Sequence, residues 1–190
     1  MEQNELYPIF LKTKQLETLI VGGGFVALEK LTFLLKSSPN SKVTMVSTFF
    51  REETEALANK FDIKMINIKY DSSFLKNKHM VIATTDNVDV NVQVYRDCKQ
   101  RNILVNVADN PPYCDFFMGG IVTKGNVKIA ISTNGKSPTT AKRLRQFFEE
   151  IIPEDINELV QNLNKYRKTI KGSFENKVVQ LNQLTKSLIS

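Results

Sequence analysis

TLIVGGGFVALEK, residues 18–30, is the stretch on which the fold turns. An apolar run meets three glycines, and an amphipathic stretch follows. Residues 18–22 read as a fully buried strand, because the run is continuously apolar rather than alternating. Residues 25–36 read as a helix, with Leu28, Leu31, Leu34 and Leu35 on one face. Between them, Gly22-Gly23-Gly24-Phe25-Val26-Ala27 fits G-x-G-x-x-G/A with alanine last. Gly22 permits the tight turn, Gly24 lets the backbone approach a pyrophosphate, and Ala27 is small enough for the helix to pack close to the strand. The helix N-terminus adds amide N–H groups and a positive dipole end. Strand, turn and helix in this order predict dinucleotide binding.

Further strands are expected at 42–47, 63–69, 79–84 and 103–107. Helices are expected at 51–60 and at 88–100, the latter through Val90, Val94 and Cys98. Alternation at this spacing implies βαβ units and a parallel sheet. The pattern changes after Pro111-Pro112. Two β-rich runs, 116–122 and 127–132, flank Thr123-Lys124-Gly125-Asn126, which is a hairpin signal. Ser137-Pro138 is a good N-cap and N1 pair and opens the basic helix TTAKRLRQFFEE. Pro153 opens another helix, with Ile156, Leu159, Val160, Leu163, Tyr166 and Ile170 at helical spacing. Gly172-Ser173 separates it from a last helix bearing Phe174, Val178, Leu181, Leu184 and Leu188. These helices have apolar stripes but no large core of their own. The fold class is therefore α/β: a Rossmann-type parallel sheet, then a β-hairpin segment and a C-terminal helical part.

The composition, 42% hydrophobic and 24% charged over 190 residues, is that of a globular chain. The net charge of +6 admits an acidic partner. No dense Lys/Arg block occurs, which argues against nucleic acid. The N-terminus shows no secretory pattern, and no run approaches the roughly 18 apolar residues of a membrane span. The two cysteines, Cys98 and Cys114, form no C-x-x-C pair, so neither a disulfide framework nor a zinc site is expected. A cytoplasmic protein that holds no metal and docks on no membrane is the simplest reading.

In open parallel sheets, ligands bind outside the carboxyl ends of the strands. The second strand ends in Ser47-Thr48-Phe49, with no carboxylate to hold a ribose; hydroxyls and backbone remain to do so. Arg51 nearby leaves a 2′-phosphate, and hence NADP, open, but reads first as a solvated residue at the start of a helix. Thr84 and Thr85 end the fourth strand and are expected to lie over the nucleotide. Asp109 follows the fifth strand, where the nicotinamide half would lie. A carboxylate there serves proton transfer or merely the Asn110-Pro111-Pro112 turn. His79, the one histidine, precedes the fourth strand and is expected to be structural.

YPIFLKTK, LIVGGGFVALEK, ATTDN, VNVADNPPYCDFF, GNVKIAISTNGKSP and AKRLRQFFEE follow one another as in the precorrin-2 dehydrogenase family, which this chain resembles over roughly residues 7–150. The resemblance is to the stand-alone form of the N-terminal module of sirohaem synthase, since no methyltransferase domain follows. It implies NAD as oxidant, precorrin-2 as the tetrapyrrole substrate and sirohydrochlorin as product. It implies Asp109 as the catalytic residue, and Phe25, Val26, Thr48 and Phe49 as lining NAD. It implies that Ser137 faces the tetrapyrrole; Lys136, Lys124 and Arg143 are candidates for its carboxylates. It implies a homodimer, with an NAD-binding domain over 1–113, a dimerisation segment over 114–150 and a helical region over 151–190. Some members also insert Fe2+ as a second substrate, and the sequence leaves that open. A non-catalytic NAD(H)-sensing module is the competing reading, but such a module has no reason to carry NVADNP and GKSP together.

Overall fold

The computed structural model describes residues 4–186, so the expectation for Leu188 lies outside the described residues. The chain divides into two compact units. One runs to Gly119 and takes back Ser132–Ser137; the other comprises Gly120–Ile131 and the chain from Pro138 onward.

The first unit is built on five parallel strands. They are β1 (Glu17–Val21), β2 (Lys42–Ser47), β3 (Lys64–Asn67), β4 (Met80–Ala83) and β5 (Leu104–Val107), in the order β3-β2-β1-β4-β5. Three helices connect them: α1 (Phe25–Ser37), α2 (Glu52–Lys60) and α3 (Val88–Gln100). Side chains alternate across a strand, so β1 feeds two cores. Ile20 joins Met45 and Ile82 with Ala27, Leu31, Leu34 and Leu35 of α1. Leu19 and Val21 join Val81, Val105 and Val107 with Val94 and Cys98 of α3 and with Leu75. Helices cover both faces, which is why these strands read as continuous apolar runs. The strand order reverses at β1, between β2 and β4, and the crevice of such a sheet opens there.

Residues 63–69 alternate as a strand should, yet pairing ends at Asn67. With its amide oriented to satisfy both atoms, Asn67 Nδ2 donates to the carbonyls of Ser47 and Thr48 (3.2 and 2.9 Å). The residue is thereby turned toward the loop after β2.

The hairpin differs more from expectation. Its strands are β6 (Gly120–Lys124) and β7 (Val127–Ile131), so the first begins four residues later than the β-rich run 116–122. Residues 114–116 run along the outer edge of β5 instead. Asp115 N–H donates to Val105 O (2.7 Å), Val105 N–H donates to Asp115 Oδ2 (3.1 Å), and Asn106 Nδ2 donates to Phe116 O (2.8 Å). Lys99 completes the clamp on Asp115 Oδ1 at 2.7 Å. An exposed edge is a liability that proteins cover, and this strap covers it.

The second unit packs α4 (Pro138–Ile151) against the hairpin and follows it with α5 (Ile156–Thr169) and α6 (Phe174–Thr185). Pro138 stands first in α4, where a missing N–H costs nothing. Ser173 caps α6 by accepting the Asn176 N–H. None of the three helices buries a residue. No helix among the described residues is long and apolar enough to cross a membrane.

Candidate dinucleotide site

All five strands are parallel, so the loops after β1, β2, β4 and β5 leave the same edge of the sheet. The glycine turn is held from both sides. Gly22 N–H donates to Val46 O (2.9 Å), and Gly23 O accepts the Arg51 N–H (3.0 Å). On the β4 side, Thr84 N–H and Thr84 Oγ1 both donate to Val21 O (2.8 and 2.9 Å).

The three glycines do different things. Gly22 has φ +124°, and a Cβ there would lie 2.5 Å from Thr84 Oγ1. A Cβ on Gly23 would lie 2.0 Å from Phe49 O and 2.7 Å from Phe50 Cδ1. A Cβ on Gly24 would meet nothing within 4 Å. Two glycines are therefore forced by the protein's own packing, and the third faces open space. Gly24 is also the residue before α1, and no side chain caps that helix. The first N–H groups of α1 thus open onto a small cradle, as a pyrophosphate requires. Phe25 and Phe49 stand 65% and 62% exposed beside it, large apolar surfaces that water does not favour. Val26 is half-buried on the first turn of α1.

The other expected residues fall as follows. Ser47 Oγ accepts the Phe49 N–H (3.3 Å), bracing the loop that carries Thr48. The Thr84 hydroxyl is spent on Val21 O. The Thr85 hydroxyl is spent on Asn91 Oδ1 (2.7 Å) and Asn87 O (3.0 Å). Asn91, buried on α3, returns a bond from Nδ2 to Thr85 O (2.8 Å) and so fixes the loop. Nothing in the sequence reading singled it out; the signal was a polar residue inside the Val90–Val94–Cys98 stripe.

Asp109 is exposed on the turn after β5, with φ +57°. The turn closes with Asn110 N–H on Val107 O (3.1 Å), and Ala108 N–H donates to Ala83 O (2.9 Å). Asp and Asn are the non-glycine residues that most readily take this left-handed conformation. Cys114 braces the turn from behind, Sγ donating to Val107 O (3.2 Å) and Asn110 O (3.4 Å). Burial pushes the Cys114 thiol above its usual range.

Ser137 is half-buried, its N–H donating to Thr133 Oγ1 (3.2 Å), while Thr133 Oγ1 donates to Ser137 O (3.1 Å). Lys136 is exposed in the same loop, its N–H on Thr133 O. In the second unit, Arg143 reaches Gln146 Oε1 (3.1 Å), and Lys124 is ion-paired with Glu154. His79 lies at the opposite end of the sheet, its Nδ1 accepting the Glu17 N–H at 2.9 Å. Among the described residues, no group of three or more His, Cys, Asp or Glu could hold a metal ion.

A parallel sheet reversing at β1, with an open glycine turn at that point, defines a dinucleotide-binding α/β protein. Residues 9–120 match the family model described as putative NAD(P)-binding, and residues 124–151 match the one described as sirohaem biosynthesis protein central. The chain belongs to that NAD(P)-binding family. It is 36% identical over 170 residues to the siroheme synthase of Pseudoalteromonas atlantica, covering 90% of this chain and 36% of that protein. It is 38% identical over 168 residues to that of Pseudoalteromonas translucida, covering 88% and 35%. The chain thus spans little more than a third of the length of the curated relatives it matches. Among solved structures, SirC, precorrin-2 dehydrogenase, superposes with a TM-score of 0.77 at 22% identity, over 94% of this chain and 89% of that one. The fold is shared along nearly the whole chain.

Proposed function

We propose that this chain is an NAD-dependent dehydrogenase that converts precorrin-2 to sirohydrochlorin in the cytoplasm, acting as a homodimer. The observation that carries the reading is Gly24, the one glycine of the turn that the protein itself does not fill. The siroheme synthase relatives, and the likeness to a fold used by a precorrin-2 dehydrogenase, support the choice of substrate.

The residues divide the work. Gly24 and the free N–H groups of α1 bind the pyrophosphate, and Phe25 and Phe49 flank the cofactor. NAD+, when bound, supplies a hydride acceptor. The reaction removes two hydrogens, one as hydride and one as a proton. Asp109 takes or orients that proton. Lys136 attracts a carboxylate of the substrate, and Ser137 faces the macrocycle.

The test is anaerobic absorbance after the protein is mixed with NAD+ and precorrin-2. Appearance of the sirohydrochlorin spectrum, with one NADH formed per macrocycle, is expected. NAD+ binding without turnover would overturn the enzymatic reading in favour of a sensor. Adding Fe2+ to the same cuvette reads out iron insertion.

A further inference from the structure

Asp109 is exposed, so the backbone of its turn decides where the carboxylate stands. That backbone is left-handed, at φ +57°. A non-glycine residue persists in this region where the surrounding structure holds it there. The N–H groups of Ala108 and Asn110 hold the turn from within. The carbonyls of Val107 and Asn110, one on each side of Asp109, are held by a different group.

That group is the Cys114 thiol. The single helical turn Pro111–Tyr113 brings the chain back to the Asp109 turn, with Tyr113 N–H on Asn110 O (3.0 Å) and Cys114 N–H on Pro111 O (3.1 Å). The Tyr113 ring lies 4.8 Å from the Tyr95 ring of α3, centroid to centroid, and this contact anchors the helical turn. Cys114 Sγ then has Val107 O at 3.2 Å and Asn110 O at 3.4 Å for its one hydrogen. Asn106 orients it from the other side. This is the one polar residue of β5, and it is buried. Its Nδ2 donates to Cys114 Sγ (3.4 Å) and to Phe116 O (2.8 Å). Burial raises the thiol above its ordinary pKa, so at neutral pH it keeps the proton that the carbonyls accept.

We propose that Cys114 is a positioning residue for the dehydrogenation: its thiol, oriented by Asn106, ties the carbonyls on both sides of Asp109 to the strap and so fixes where the Asp109 carboxylate stands. The proposal rests on Asp109 acting on the proton as proposed above. A thiol is a weak donor, so its loss costs the fold little. Rate is the more sensitive quantity, because a displacement of about 1 Å at a reacting group can cost roughly 10²-fold.

The test is steady-state turnover of precorrin-2 with NAD+ by Cys114→Ala, Cys114→Ser and Cys114→Val, with circular dichroism to confirm folding. Alanine and valine remove the donor, and valine does so without leaving a void. Each should lower kcat by about 10- to 100-fold, with the KM for precorrin-2 and the Kd for NAD+ unchanged. Serine keeps a donor in nearly the same place and should restore kcat to within about threefold of the wild type. In an Asp109→Asn background, Cys114→Ala should lower kcat no further, because the carboxylate it positions is gone. Wild-type kcat in a folded donor-free variant overturns the proposal. So does a serine variant as slow as alanine, or a loss that multiplies with that of Asp109→Asn. Should alanine not fold, valine and serine decide between them, and a fold lost in both donor-free variants but kept in serine makes the thiol structural and overturns the positioning role. Full turnover by Asp109→Asn alone, or none by the wild type, overturns the catalytic reading itself, a result seen before any Cys114 variant is made.

Discussion

The two units meet the demand for burial differently. In the sheet unit, Leu19, Ile20, Val81, Ile82 and Val105 are fully covered, each by helices of the same unit. In the hairpin–helix unit, only Val122, Ile131 and Ile170 are buried among the described residues. Phe147, Ile151, Phe174, Val179 and Leu184 all remain more than half exposed. A surface of this kind marks an interaction face. The sheet unit encloses its own core, and we propose that a second copy covers the apolar surface of the hairpin–helix unit.

If chemistry belongs to the sheet unit alone, Asp109→Asn should cost about 10²–10⁴-fold in turnover without changing mass or NAD+ affinity. Asparagine also accepts the left-handed turn, so the backbone is spared. Near wild-type turnover, followed by sirohydrochlorin absorbance, would reduce Asp109 to a turn residue.

The glycine turn offers a sharper contrast inside the sheet unit. Gly23→Ala must push against the Phe49 carbonyl and should cost about 2–4 kcal/mol in urea unfolding. Gly24→Val should leave the urea midpoint nearly unchanged while abolishing NAD+ binding. Equal destabilisation by both variants would contradict the division of labour among the glycines.

The hairpin–helix unit is tested by Phe147→Asp on α4. A buried aromatic anchor is worth about 2 kcal/mol or more at an interface, so light scattering should fall from twice 21.7 kDa toward one chain. NAD+ affinity should not move. A wild type that is monomeric at micromolar concentration would refute the second copy as the covering partner.

The smallest effect is alkaline. Burial pushes the Cys98 thiol from its ordinary 9.0 up to about 12, and burial raises Tyr70 as well, ahead of its bond to Asp97. Both groups hold their protons more tightly folded than unfolded. Their contribution is whole below about pH 9 and is lost as pH rises toward the folded values. The urea midpoint should drift down from pH 9 to 11, and less so in Cys98→Ala measured against its own value at pH 7. A drift identical in both proteins would exclude Cys98 as a source.

Much of this was legible in the chain. The 88–100 helix matches α3 at both ends, because Asn87 caps it and Val90, Val94 and Cys98 keep strict period. The glycine turn was legible because its residue types sit at fixed spacing between a strand and a helix, although the groups that force Gly22 and Gly23 lie on other loops. The strap at 114–116 was not. CDFF resembles the start of a strand, and what diverts it is a side-chain carboxylate bonding an amide ten residues back. Likewise, Thr84 and Thr85 presented two hydroxyls to the nucleotide edge, and only the structure shows them bonded to Val21 O and to Asn91 and Asn87. The pairing of Arg51 with Glu53 was not legible either, because the orientation of a neighbouring side chain cannot be seen in sequence.

That strap has a consequence for the size of the sheet. A full dinucleotide fold adds a sixth parallel strand beyond the fifth and, with it, a second mononucleotide half. Here the docking line that such a strand would need is already taken by Asp115 and Phe116. Growth of the sheet therefore ends at β5.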